Sequence, residues 1–195
     1  MSDNSPNMKP DIEICADDAS LASALAARVA AAAAEALAAR GRFALAIPGG
    51  SVVALLGRGL ARVDAADWHV FWTDERCVPL SDPQSNFRLA ETDLLPKLSD
   101  AHLHPIRGSA ADVENELRPF LPLDLVLLGV GEDGHVASLF PGNPATREIA
   151  RLVADVHGAP KPPPERITLT FPALNAARQT LVVAAGAGKA AIVAR

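Results

Sequence analysis

The sequence is poor in cysteine, in clustered positive charge and in uninterrupted hydrophobic runs. Cys15 and Cys77 are its two cysteines. They are too few for a disulfide framework and form no metal-ligand pair, which fits a reducing, cytoplasmic setting. Cys77 is expected to be a small buried hydrophobe and not a reactive thiol. Lysine and arginine total 18 against 23 acidic residues, a net charge of -5 with no charge run. Such a chain lacks the basic surface that releases counterions from nucleic acid, although a local basic pocket for a small anion remains open. The Ala-rich stretch 19–39 resembles a membrane segment, but Arg28 and Glu35 interrupt it and acidic residues precede it. It is read as neither a signal peptide nor a span. Asp17 or Asp18 can cap it as a helix, Gly41 can end it, and Leu21, Leu25, Val29 and Leu37 supply apolar anchors at helical spacing. No internal repeat is present.

What remains is a globular composition, 49% hydrophobic and 21% charged over 195 residues. Length and composition favour one domain. Residues 1–11, polar with two prolines, read as a flexible leader, and 12–195 as a single α/β domain. Expected strands cover Ile12–Cys15, Phe43–Ile47, Trp68–Thr73, His102–Ile106, Asp124–Leu128, Arg151–Val156, Arg166–Phe171 and Gln179–Ala185. Helices are expected up to Arg40, then over Val52–Arg62, Asn86–Leu95, Asp112–Phe120 and a short stretch near Ala173. This alternation predicts a mainly parallel, three-layer Rossmann-like sheet with helices on both faces. Pro160–Pro164 reads as a stiff surface loop, the other reading being a polyproline ligand.

Three strand ends carry chemistry. Leu125–Leu128 is a continuous apolar run, as in a parallel strand buried on both faces, and such strands present ligand-binding groups at their carboxyl ends. There the chain reads G-V-G-E-D-G-H, placing Asp133 and His135 on a glycine-rich turn. An imidazole has a reference pKa near ~6.5 and can take a proton at cellular pH. Strand Phe43–Ile47 runs into Pro48-Gly49-Gly50-Ser51 and then a helix. Backbone N–H groups, the Ser51 hydroxyl and the helix dipole favour a phosphate there, unless Ser51 merely caps its helix. The motif is neither a Walker A loop nor a dinucleotide fingerprint, because the required lysine and third glycine spacing are missing. Strand Trp68–Thr73 ends in Asp74-Glu75-Arg76, followed by Ser85-Asn86-Phe87-Arg88. Arg166 opens a strand, and Lys189 follows Gly186-Ala187-Gly188. With Gly49, Gly50 and Ser51, these cations can neutralise a phosphate dianion through charge-assisted bonds of ~1.5–3 kcal/mol each.

Taken together, I-P-G-G-S, W-T-D-E-R-C-V-P with S-N-F after it, and G-V-G-E-D-G-H-V-A-S-L-F-P-G resemble the 6-phosphogluconolactonase family. The resemblance spans Ile12 to the end. It implies the fold shared with glucosamine-6-phosphate deaminases and hydrolysis of 6-phospho-D-glucono-1,5-lactone, the second step of the oxidative pentose phosphate pathway. It implies no metal and no organic cofactor. Its partner is a small sugar-phosphate lactone, with no nucleic acid or membrane, and the chain is expected to be a monomer or weak homodimer. By the resemblance, His135 is the general base, Asp133 orients it, and Arg76 binds substrate or steadies charge on the carbonyl oxygen. Gly49, Gly50, Ser51, Asp74, Asn86, Arg166 and Lys189 bind substrate or its phosphate. Relatives continue past the G-x-x-K turn with a further strand and helix, which this chain is expected to lack. Deaminase-like relatives carry an Asn-Glu pair where this chain has Leu139-Phe140, which argues against proton-shuttling sugar isomerisation. The absence of a DNA-binding segment before Ile12 and the intact Asp133-Gly134-His135 argue against a sugar-phosphate-sensing regulator.

Overall fold

A computed structural model describes residues 10–194. The expected leader therefore lies outside the described residues, apart from Pro10 and Asp11. Asp11 and Glu13 both pair with Arg28 and lay the incoming chain along the first helix. The strand expected over Ile12–Cys15 does not form: Ile12 and Ile14 are 74% and 92% exposed. Alternating apolar residues become a strand only where a neighbour completes their hydrogen bonds, and no described strand pairs with them.

Helix α1 (Asp18–Arg40) begins in a capping box. The Asp17 carboxylate accepts from Ser20 N at 2.8 Å, Asp17 N donates to Ser20 Oγ, and Gly41 closes the other end at φ 67°. The helix has the length and apolar content of a membrane span. It is nevertheless a packed helix here, with Ala22, Leu25, Ala26, Val29, Ala33 and Ala36 buried. Small residues on that face let it lie close to its neighbours. Next come β1 (Phe43–Ile47), α2 (Ser51–Gly59), β2 (Val63–Asp64), β3 (Trp68–Trp72), β4 (Asp74–Arg76) and α3 (Asn86–Asp93). They are followed by β5 (Leu98–Ser99), β6 (His102–His104), α4 (Ala110–Leu117) and β7 (Leu125–Gly129). The last elements are β8 (Val153–Val156), β9 (Arg166–Leu169), α5 (Phe171–Asn175), β10 (Gln179–Val183) and α6 (Ala190–Val193).

The central sheet is parallel throughout, in the order β10-β7-β1-β3-β6. Every residue of β1 is buried, as is Leu125–Leu128 of β7, which explains their unbroken apolar runs. The order places a topological switch point between β1 and β7: from β1 the chain winds outward through β3 to β6, then returns to the other side of β1. Ligands of such sheets bind outside the carboxyl ends at this crevice.

Two expected strands belong elsewhere. Arg151–Val156 and Arg166–Phe171 shorten to β8 and β9, which are antiparallel to each other. With β4 they form a separate three-stranded sheet. The Asp74-Glu75-Arg76 cluster, expected as a strand-end loop, is thus itself a strand. The crossing point is Thr73, whose N donates to Ile47 O at 2.8 Å in the parallel sheet while its O accepts from Leu169 N at 2.7 Å in the other. A third pairing, β2 with β5, is only two residues long and had no sequence signal.

Cys77 also departs from expectation, being exposed where the chain turns out of β4. Partial desolvation and nearby Asp155, Glu165 and Glu75 push its thiol pKa up, so it is not an activated thiolate. His69, His102 and His104 cluster at the β3–β6 edge with Phe71 and Phe120. His69 Nδ1 is 3.1 Å from His104 Nε2, and His104 Nδ1 is 2.7 Å from Glu116. Burial, with the neighbouring His104 and His102, pulls His69 below the usual imidazole range and favours a neutral packed ring.

Candidate active site

The switch point opens into a cleft of about 340 Å³. Nine candidate residues line it: Gly49, Gly50, Ser51, Asp74, Arg76, Asn86, His135, Arg166 and Lys189. Asp133 is the exception and stands behind His135.

The turn after β7 builds the imidazole's setting. Gly131 N donates to His135 O at 2.8 Å and Gly134 N to Gly131 O at 3.0 Å, folding the turn onto itself. His135 Nδ1 then meets Asp133 Oδ1 at 2.5 Å. A carboxylate can only accept, so Nδ1 carries the proton and Nε2 keeps the free lone pair. Burial alone would raise the Asp133 carboxyl, but the His135 hydrogen bond, its charge and backbone N–H groups outweigh this and hold it below the usual range. Gly131 stands out in the sequence as one of the glycines that allow close approach in this turn, and the structure gives it a specific part in the site. A Cβ there would lie 2.1 Å from His135 Nδ1 and 2.5 Å from Asp133 Oδ1, so only glycine leaves room for the pair. Phe140 supports the imidazole from beneath, with ring centroids 4.4 Å apart.

At the end of β1, Gly50 and not Ser51 is the N-cap of α2, with φ 70°. Ser51 is the first helical residue, so capping does not consume its hydroxyl. The first-turn N–H groups and Ser51 together offer an anion cradle beside the imidazole. Gly49 permits a close approach from below: a Cβ would fall 1.9 Å from Asn86 Oδ1.

Asn86 is 2% exposed and donates its amide to Asp74 O at 2.9 Å and Asp74 Oδ1 at 3.2 Å. Asp74 also accepts from Ser138 Oγ at 2.6 Å. Asp74 and Asn86 thus form the floor of the cleft. Glu75, which sequence reading left without a role, is a buried fixture. Its carboxylate accepts from Asn86 N, Phe87 N and Arg76 N at 2.7–2.8 Å and from Ser85 Oγ at 2.9 Å. Negative charge at the start of α3 suits the helix dipole and fixes the backbone of Arg76 and Asn86. The only sequence signal for it was three consecutive charges behind a buried strand. Arg76 donates from Nη1 to Gln84 O at 2.5 Å, and its buried Nε has no partner among the described residues.

Lys189, at the end of a short helical turn (Ala187–Lys189), has no carboxylate within ion-pair distance among the described residues. Arg166 does reach the cleft, but it is 4% exposed and bonded to its surroundings through Ser138 and the proline loop. That loop is more than a surface connection, since Lys161 and Pro162 form part of the cleft wall. Among the described residues, no group of three or more His, Cys, Asp or Glu could hold a metal ion.

Known proteins are similar to this chain in sequence and in fold. Residues 16–195 match the family described as glucosamine-6-phosphate isomerases/6-phosphogluconolactonase. The 6-phosphogluconolactonase of Rattus norvegicus is 41% identical over 91% of this chain and 76% of its own length. That of Homo sapiens is 41% identical over 94% and 80%. A crystal structure of a 6-phosphogluconolactonase from Shewanella baltica OS155 superposes with a TM-score of 0.81 at 30% identity, covering 91% of this chain and 82% of that one. The Trypanosoma brucei 6-phosphogluconolactonase structure gives 0.78 at 26% identity, covering 95% and 85%. With its parallel sheet, its switch-point cleft and a match running through nearly all of its length, the chain belongs to the glucosamine-6-phosphate isomerase/6-phosphogluconolactonase family.

Proposed function

We propose that this chain hydrolyses 6-phospho-D-glucono-1,5-lactone to 6-phospho-D-gluconate in the oxidative pentose phosphate pathway, as a cytoplasmic enzyme, monomeric or weakly dimeric. The observation that carries the reading is His135, backed by Asp133, on the wall of a cleft that also holds an anion cradle. The names of the mammalian relatives support the same substrate.

His135 Nε2 takes a proton from water as the oxygen attacks the lactone carbonyl carbon. Asp133 stabilises the resulting imidazolium, and Arg76 faces the charge developing on the carbonyl oxygen. Collapse of the tetrahedral intermediate breaks the bond to the ring oxygen. His135 returns its proton to that oxygen, leaving a hydroxyl and a carboxylic acid, which ionises. Base assistance of this kind contributes roughly 10²- to 10⁴-fold. Backbone N–H groups at Gly49–Ser51, with Lys189, hold the phosphate and position the ring. Leu139 and Phe140 are buried apolar side chains and provide no carboxylate for opening an amino sugar.

The test is proton release from freshly generated 6-phosphogluconolactone, measured above its spontaneous hydrolysis, with glucosamine 6-phosphate as control. Acceleration of lactone hydrolysis without ammonia release from the amino sugar is expected. Ammonia release with no lactone acceleration would replace the reading by deamination.

A further inference from the structure

The proline-rich wall of the cleft has no part in the hydrolysis described above, yet its shape is closely determined. Arg166 Nε donates to Pro163 O at 3.0 Å, and Nη2 donates to Lys161 O at 2.8 Å and Pro162 O at 3.5 Å. Nη1 donates to Ser138 Oγ at 3.3 Å, with Asp74 Oδ2 4.0 Å away. The guanidinium also lies over the Phe140 ring, 5.3 Å from its centroid. All three of its nitrogens are therefore engaged by the protein, and turning the group toward a ligand would leave backbone carbonyls unpaired. Arg166 is therefore a poor choice for the phosphate that the resemblance assigns to it.

Lys161 shows the converse. Its carbonyl is held by Arg166 while its side chain is exposed on the cleft wall, with no carboxylate within ion-pair distance among the described residues. Prolines at 160, 162, 163 and 164 restrict the backbone around it. A preorganised backbone removes much of the ordering cost of presenting a long cationic side chain to a ligand. We propose that Lys161 contacts the substrate phosphate and selects for the phosphorylated lactone, and that Arg166 is the positioning residue that holds Lys161 in place. The inference builds on the lactonase reading for its substrate and reassigns the cationic charge within the site: Lys161 and Lys189 face the dianion, while Arg166 keeps the loop closed.

The experiment compares K161M, K161R and K161E on 6-phosphogluconolactone and on unphosphorylated glucono-1,5-lactone. K161M is expected to raise KM for the phosphorylated lactone about 10-fold with kcat within about 2-fold, as for loss of one charge-assisted contact. K161E is expected to raise it further and K161R to restore most of it, all three leaving the unphosphorylated lactone unaffected. An unchanged KM in K161M, or equal changes on both lactones, overturns the assignment. R166K tests the positioning role: in wild type it should raise KM about as much as K161M, and in a K161M background add less than about 2-fold. Fully additive effects would return the phosphate to Arg166. Calorimetric binding of 6-phosphogluconate against gluconate separates this proposal from the lactonase reading. Weaker 6-phosphogluconate binding by K161M supports Lys161 even if no lactone is turned over, and binding equal to wild type overturns it.

Discussion

Strand β7 has an aspartate at each end, and the two live in opposite circumstances. Asp124, at the amino end, is 6% exposed. Its Oδ2 accepts from Ala44 N at 2.8 Å, and its Oδ1 pairs with Arg40 at 2.8 Å and Arg178 at 3.4 Å. Asp133, beyond the carboxyl end, has a side chain 40% exposed and, among the described residues, a single partner side chain, His135. The first carboxylate joins α1, β1 and the start of β10, and the contacts it makes are internal to the fold. The second leaves its imidazole partner with a lone pair toward the cleft. A doubly wound sheet thus separates its tasks along one strand: the amino end is tied to internal partners, and the carboxyl end turns its groups toward the cleft.

Substitutions can break that contrast. H135A should lower kcat by roughly 10²- to 10⁴-fold while leaving the melting temperature nearly unchanged, as read by stopped-flow proton release and calorimetry. D124A should do the reverse. Removing a buried carboxylate from two arginines and a backbone N–H should cost about 2–3 kcal/mol in denaturant titrations, a figure discounted because both arginines are partly exposed, with kcat per folded molecule retained. If D124A instead impaired kcat in fully folded protein, the two ends of β7 would not be separable. G131A places a methyl group within 2.1 Å of His135 Nδ1. An ångström of displacement at the reacting base should reduce kcat by about 10²-fold with KM little altered. The smallest effect is on the pH dependence of stability. The folded Asp133 pKa is depressed, so its contribution is fully present above about pH 4 and is lost as pH falls through the lower folded value. The D133N variant lacks that contribution at every pH. Its melting temperature should lie slightly below wild type near neutrality, and the gap should close on acidification. A constant gap would mean that the Asp133–His135 pair does not couple to stability.

The parallel sheet was legible in the sequence because Phe43–Ile47 and Leu125–Leu128 are apolar without alternation, which only double-sided burial requires. The Asp133–His135 pair was legible because both members lie in one local turn. Ile12–Cys15 misled because periodicity reports a preference for strand but not the presence of a partner. For the same reason the separate antiparallel sheet of β4, β8 and β9 was not legible, since nothing local states which neighbour a strand will meet. Arg166 was legible as a cation near the site, but its commitment to three carbonyls depends on the loop folding back over it. Glu75 stood in view within a charged triplet, and its function depends on Ser85–Phe87, across a loop that carries no marker of the contact.

Asp74, Asn86, Ser138 and Arg166 come from four separated stretches of the chain and meet in one buried polar knot beneath the cleft. None of them is satisfied by its own element. The floor of the cleft is therefore built from non-local contacts: β1, β3 and β7 side by side would carry the Asp133–His135 turn but not the floor beneath it. Competence for chemistry is a property of the completed chain path, the pairing of β9 with β4 included.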